Sequence, residues 1–298
     1  MNSTCYAYNI NRDIDNSRTI HYKVNQFINQ GNNRLCIVEG ATDRLFYSNL
    51  SNYNIPYKYI YSTDRRGLIG KEAVINSMYS IFGDDKLKNR INKCVFIIDH
   101  DYLGAVTEEN RYNSSIQERF SITKPYSFEN YFLTEENLKK IFDYYNLNDC
   151  DKFIKIYNEF FEEIKEFIRY KYTQVRVDME ENIKYKCTYD NIDIFEFSFS
   201  NGTYEFDKPK MIAEIISLKR HINNYPIAKK IYEEDSKEFV ENNTYIKGHD
   251  AFYFLQKYLY DIHDIYLDEY CEDYKELVKI LDIDMDIKDV YGRSLKKR

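Results

Sequence analysis

The sequence predicts an α/β fold: a mostly parallel, Rossmann-like sheet with helices on both faces, followed by a mainly helical C-terminal half. Three observations predict it. Over the first third, short apolar runs that read as buried strands alternate with segments of helical periodicity, the pattern of right-handed βαβ crossovers. From about residue 134 the periodicity becomes almost wholly helical. The 298 residues are 43% hydrophobic and 31% charged, which is a globular rather than a disordered composition.

The elements follow in order. Ile20, Val24, Phe27 and Ile28 fall near helical spacing, and Gly31 with two asparagines ends a helix over 18–30. Arg34 to Val38 is a short continuous apolar run, as in a buried strand, and it stops at Glu39 and Gly40. Thr42 is placed to cap a helix running to about Leu50, with Leu45, Phe46 and Leu50 inward. Tyr57 to Tyr61 is β-rich. Residues 71–82 read as helix and end at Gly83. Cys94 to Ile98 is the clearest buried strand, ending at Asp99, His100 and Asp101. Arg119 to Thr123 is a weaker strand, followed by Pro125 and then Ser127, Phe128 and Glu129.

Beyond that point Thr134, with Glu135 and Glu136 in the first turn, opens a helix. Residues 150–170 carry aromatic and aliphatic residues on a broad face that reads as core or as an interface. Asn201-Gly202 marks a hairpin within 184–206. Segments 207–221, 226–242, 249–266 and 269–281 read as helices. No internal repeat is visible, and no Pro/Gly linker separates the halves, so the two can share one core.

Composition excludes several classes. With 42 Lys+Arg against 49 Asp+Glu the net charge is −7, which rules out a basic nucleic-acid-coating protein. The sum conceals an asymmetry: residues 1–134 hold 16 basic and 14 acidic side chains, and residues 135–298 hold 26 and 35. No apolar run approaches the roughly 20 residues of a membrane helix, and the N-terminus lacks a signal-peptide pattern. Six scattered cysteines without a C-x-x-C pair argue against a zinc site and for reduced thiols in a cytoplasm. The 31 Tyr and 19 Phe with no Trp read as codon bias of an AT-rich genome rather than as a stacking surface. Gly67 to Glu72 fails the P-loop pattern and reads as a strand-to-helix turn, so the chain shows no ATPase of its own.

The informative feature is where the acids fall. Glu39 follows the first strand, Asp99 and Asp101 follow the third, and Glu129 follows the fourth strand-like segment and a Pro turn. Asp43 lies one helical turn after Glu39. Ligands of open α/β sheets bind at the carboxyl ends of the strands, so parallel neighbours would bring these acids together. Clustered carboxylates need a cation to stay ionised cheaply, and oxygen donors select hard ions such as Mg²⁺, Mn²⁺ or Ca²⁺. Two such ions would suit phosphodiester chemistry.

Val38-Glu39-Gly40 with Asp43, Asp99-His100-Asp101, and Ser127-Phe128-Glu129-Asn130 together resemble the signature of the TOPRIM fold. The S-x-E element, and an acid four residues after the first glutamate, resemble the OLD-type nucleases most. Within these the chain is most similar to short TOPRIM effectors with a helical C-terminal half, the AriB-like group of PARIS anti-phage systems. The signature covers residues 34–133.

The resemblance implies a TOPRIM domain over 1–134, including the N-terminal helix, and a helical region over 135–298. It implies Glu39, Asp43, Asp99, Asp101 and Glu129 as ligands of two Mg²⁺ or Mn²⁺ ions. Glu39, Asp99, Asp101 and Glu129 are also catalytic in it, and Lys247 is the first choice for a late charge-stabilising lysine, with Lys124 second. Arg65, Arg66, Lys71 and Lys124 are candidates for phosphate contacts. With five of its 14 acids neutralised by cations, the N-terminal part becomes a plausible phosphate-facing surface. The expected function is a toxic effector nuclease of bacterial anti-phage defence that cleaves RNA, with tRNA favoured by the resemblance. It would be released from a separate ABC-type ATPase and homodimeric when active. A DNA nuclease or nickase, or a non-catalytic TOPRIM interaction module, are the alternatives.

Overall fold

The computed structural model describes residues 34–50, 70, most of 74–85, 93–99, 123, 127–181, 192–241 and 248–283, together with the backbone of 57–61 and 120–122. The expected helix over 18–30 lies outside these residues, as does the C-terminal tail.

Four strands form a parallel sheet: β1 (Arg34–Val38), β2 (Tyr57–Tyr61), β3 (Cys94–Ile98) and β4 (Phe120–Ile122), in the order β2-β1-β3-β4. Register runs Arg34↔Tyr57 to Val38↔Tyr61, Leu35↔Cys94 to Ile37↔Phe96, and Phe96↔Phe120 to Ile98↔Ile122. Leu35 to Val38 and all of β3 are buried, which is why both central strands are continuous apolar runs rather than alternating ones. The order has a functional consequence. From β1 the chain steps outward to β2, then crosses back over β1 to β3 and continues to β4. The direction reverses between β1 and β3, and the crevice at the carboxyl end of such a switch point is where doubly wound sheets take their ligands.

Helix α1 (Ala41–Asn49) packs against β2. Its N-cap is Gly40, which offers no side-chain cap; Thr42, expected in that role, lies inside the first turn. The buried face of α1 is Asp43, Phe46 and Tyr47, continued by Leu50, at spacings of three and four residues. A carboxylate therefore sits where an apolar residue would be expected. Between β2 and β3, positions Val74, Met78 and Ile81 are helical and fully buried.

After β4 a 3₁₀ segment (Phe128–Leu133) leads into α2 (Glu135–Tyr144), whose first turn is capped by Thr134 accepting from the Asn137 N–H at 3.3 Å. The expected single helix over 150–170 is two: α3 (Cys150–Glu163) and α4 (Lys165–Glu180), separated at Ile164. Its aromatics are core and not a free surface; Phe160 stacks on Phe254 at 4.8 Å. β5 (Ser198–Ser200) and β6 (Thr203–Glu205) form the hairpin, with Asn201 (φ 49°) and Gly202 (φ 75°) in the left-handed conformation that a tight Asn-Gly turn needs.

Helix α5 (Lys208–Ile222) follows. The expected helix over 226–242 is broken into α6 (Ala228–Lys230), a π-helical turn (Ile231–Asp235) and α7 (Ser236–Glu241). Arg169 from α4 fits this turn, with its guanidinium 4.2 Å above the Tyr232 ring and Nη2 donating to the Tyr232 carbonyl at 2.8 Å. Helices α8 (Gly248–His263) and α9 (Glu272–Ile280) complete the described chain. No described helix is long and apolar enough to cross a membrane.

One hydrophobic core runs through both halves, from Val38, Phe46 and Ile97 through Phe128 and Phe132 to Phe252, Leu255 and Leu277. Buried Asn137 fastens the C-terminal end to this core. Its Nδ2 donates to the carbonyls of Tyr131 and Asp282, and its Oδ1 accepts the Asp282 N–H, all at 2.7 Å. The composition shift near residue 134 therefore changes the kind of secondary structure without interrupting the packing.

Candidate functional site

The site begins at the switch point. Glu39 leaves the end of β1 and its Oε1 accepts the backbone N–H of Asp99 at 2.8 Å, just past β3. That bond ties the two central strand ends together and orients the Glu39 carboxylate. Asp99 Oδ1 in turn accepts from the Thr123 hydroxyl at 3.4 Å, beyond β4. Gly70 closes the other side: its N–H donates to the Glu39 carbonyl at 3.0 Å, and its φ of +97° favours glycine. Gly70 of the expected Gly67 to Glu72 turn is therefore bonded to the Glu39 backbone, and the other residues of that turn lie outside the described residues.

Asp43 comes next. Burial raises its carboxyl from an ordinary 3.8 to about 7, and the nearby charge of Glu129 pushes the same way. Glu129 is only 1% exposed. It occupies the first turn of the 3₁₀ segment, where Ser127 and Asn130 form a reciprocal capping box. The Ser127 hydroxyl also donates to Glu129 Oε2 at 2.5 Å. Oε1 has no hydrogen-bond partner among the described residues, although His249 Nδ1 stands 3.0 Å away at ion-pair distance. Gly248, the first residue of α8, brings His249 there. A side chain on Gly248 would collide with Ser127 Oγ and lie 2.8 Å from Glu129 Oε2, so only glycine permits this approach.

Glu269, between α8 and α9, completes the cluster. Burial, then the charge of Glu129, raises its carboxyl from 4.5 to about 7. One donor atom from each of Glu129, His249 and Glu269 lies within 4.8 Å of the other two, and the group can hold a metal ion. Two buried phenols flank it. The Tyr47 and Tyr274 hydroxyls have no hydrogen-bond partner among the described residues. Burial raises both pKa values; the next contribution comes from Asp99 for Tyr47 and from Glu129 for Tyr274. Asp43 acts on both phenols.

Of the residues singled out in the sequence, Glu39 and Asp99 meet directly, and Asp43 and Glu129 are electrostatically coupled. Asp101, Lys247, Lys124, Arg65, Arg66 and Lys71 lie outside the described residues. His249 and Glu269 are site residues that the sequence pattern misses. Glu269 has no local signal, because its position depends on how α8 and α9 pack. His249 has a faint one, a glycine opening an apolar helix. The oxygen-only donor set expected from sequence thus gains an imidazole. Asp250, beside it, is structural: its Oδ1 accepts the Ile192 N–H at 3.2 Å.

No protein-family model matches the chain, and no curated protein matches it in sequence.

Proposed function

We propose that the chain is a metal-dependent TOPRIM nuclease, and by its motif resemblance a toxic RNA-cleaving effector of bacterial anti-phage defence held by a separate ABC-type ATPase. One observation supports the chemical part of this reading: Glu39 and Asp99 meet at the switch point of a parallel sheet, and Asp43, one turn after Glu39, is electrostatically coupled to Glu129. The donor chemistry fits a divalent cation. Glu129, His249 and Glu269 bring two carboxylates and an imidazole together, with a buried Glu129 oxygen outside any hydrogen bond among the described residues, an arrangement that a cation would relieve.

Glu39, Asp43, Asp99 and Glu129 would hold Mg²⁺ or Mn²⁺, with Asp101 as a further ligand by resemblance. The chemistry such ions supply is polarisation of a phosphodiester and activation of water. The chain's own groups perform the rest. The Asp99 N–H fixes Glu39 Oε1, and Oε2 lies close to Gly70. Ser127 holds Glu129 Oε2 and thereby aims Oε1 at the cluster. Burial raises the metal-free Asp43 carboxyl to about 7, and a bound cation would favour its ionised form. RNA as the substrate, the homodimer and the ATPase partner rest on the resemblance alone.

The test is incubation of the purified full chain with Mg²⁺ or Mn²⁺ and either tRNA or supercoiled DNA. The expected result is cation-dependent cleavage of tRNA, reduced about 10³-fold or more in Glu39→Gln and Asp99→Asn, as loss of several kcal/mol of charge stabilisation requires. Cleavage of the DNA alone would assign the DNA-nuclease alternative. Full activity in both variants would remove the site assignment.

A further inference from the structure

We propose that Glu129, His249 and Glu269 form a second cation site, distinct from the Glu39–Asp99 pair and sharing Glu129 with the ligand set proposed above, selective for Mn²⁺ or Zn²⁺ over Mg²⁺, whose loading ties the helical half to the 3₁₀ segment that follows the sheet. Its donors come from three segments far apart in sequence: the 3₁₀ turn after β4, the start of α8, and the stretch between α8 and α9. Donor atoms of all three already lie within 4.8 Å of one another.

Two further observations point to a ligand. Glu129 is 1% exposed; Ser127 fixes its Oε2, and its Oε1 accepts no hydrogen bond among the described residues although His249 Nδ1, the second proposed donor, stands 3.0 Å away. The Tyr274 hydroxyl is fully buried beside the same acids with no hydrogen-bond partner among the described residues. A buried carboxylate oxygen left in this way costs free energy unless something coordinates it. Glu39 and Asp99 are held by contacts of their own, Glu39 Oε1 by the Asp99 N–H and Asp99 Oδ1 by the Thr123 hydroxyl, while Asp43 lies between them and the cluster, coupled to Glu129 and His249.

The metal preference follows from the donors. One imidazole nitrogen with two carboxylates suits borderline ions, whereas Mg²⁺ prefers an all-oxygen octahedron and keeps its waters. The tie follows from the topology. His249 opens α8, the helix that packs against the 3₁₀ segment, and Glu269 lies in the stretch that follows it, so a shared ion would tie the start of α8 and that stretch to Glu129 of the 3₁₀ segment. The site is also open on one side, since His249 is 55% exposed and gives an ion a way in.

The site does not depend on the chain being a nuclease, and its test reads binding rather than cleavage. Full-length protein stripped with a chelator is titrated with Mn²⁺, followed by calorimetry and by the electron paramagnetic resonance of free Mn²⁺, with thermal melting alongside. His249→Ala and Glu269→Gln should each weaken the tightest Mn²⁺ by about 10–100-fold, the scale on which metal sites lose affinity when a supporting group is removed. Both should also lose the Mn²⁺-induced rise in melting temperature, each variant being compared with itself without metal. Glu39→Gln and Asp99→Asn should keep the tight ion, and Mg²⁺ at equal concentration should raise the wild-type melting temperature less. Unchanged binding in both His249→Ala and Glu269→Gln would overturn the proposal. Equal loss in Glu39→Gln would overturn the separateness of the site. Absence of nuclease activity would leave these expectations as they stand.

Discussion

Asp43 occupies a position in α1 that its neighbours Phe46, Tyr47 and Leu50 mark as core-facing. Keeping a carboxylate there has a measurable consequence. Its folded pKa of about 7 lies above the ordinary 3.8, so the folded chain binds this proton more tightly than the unfolded chain. Glu269, raised from 4.5 to about 7, behaves the same way. Without metal, stability should therefore fall as pH rises from about 4 to about 7 and level off above. Asp43→Asn removes one share of this penalty. Its metal-free melting temperature should exceed wild type by roughly 2–6 °C at pH 8 and match it near pH 4. A constant difference across that range would mean that Asp43 is not the titrating group. At Gly248 the prediction is steric. Gly248→Ala places a methyl group on Ser127 Oγ and against Glu129, and should destabilise the chain by about 1–3 kcal/mol in urea unfolding while weakening Mn²⁺ binding.

Among the elements, those whose pattern is set by burial alone were legible in the sequence. β1 and β3 are buried on both faces, and a continuous run such as Cys94 to Ile98 has few other uses. The hairpin was legible because Asn201-Gly202 suits the positive φ angles of a tight turn. What was not legible depends on partners distant in the chain. The break at Ile164 involves no glycine or proline, and the π turn at Ile231–Asp235 is met by Arg169 from another helix. The site divides the same way. Glu39 and Asp99 were legible because strand ends of a parallel sheet converge; Glu269 was not, because only the packing of α8 and α9 brings it to Glu129. Asn137 is the corresponding long-range link among the elements, joining the start of α2 to the end of the described chain. Asn137→Ala should cost about 2–3 kcal/mol by denaturant unfolding, since it leaves the Tyr131 and Asp282 backbone groups without these partners. An unchanged midpoint would show that water replaces the side chain.

For the whole molecule, a single core spanning both halves means that the helical part is positioned by the same packing that positions the strand-end acids. Its acids are not all solvated surface: Glu269 is drawn into the site beside the sheet-derived acids. The net negative charge is carried by residues 135–298, with 26 basic and 35 acidic side chains, while residues 1–134 hold 16 and 14. The central claim is that the switch point of this sheet is a divalent-cation centre. Anomalous diffraction from crystals soaked in Mn²⁺ tests it most directly. The account predicts anomalous density within coordination distance of the Glu39 and Asp99 carboxylates and of Glu129. Density confined to surface acids, with none at the switch point under saturating Mn²⁺, would contradict it.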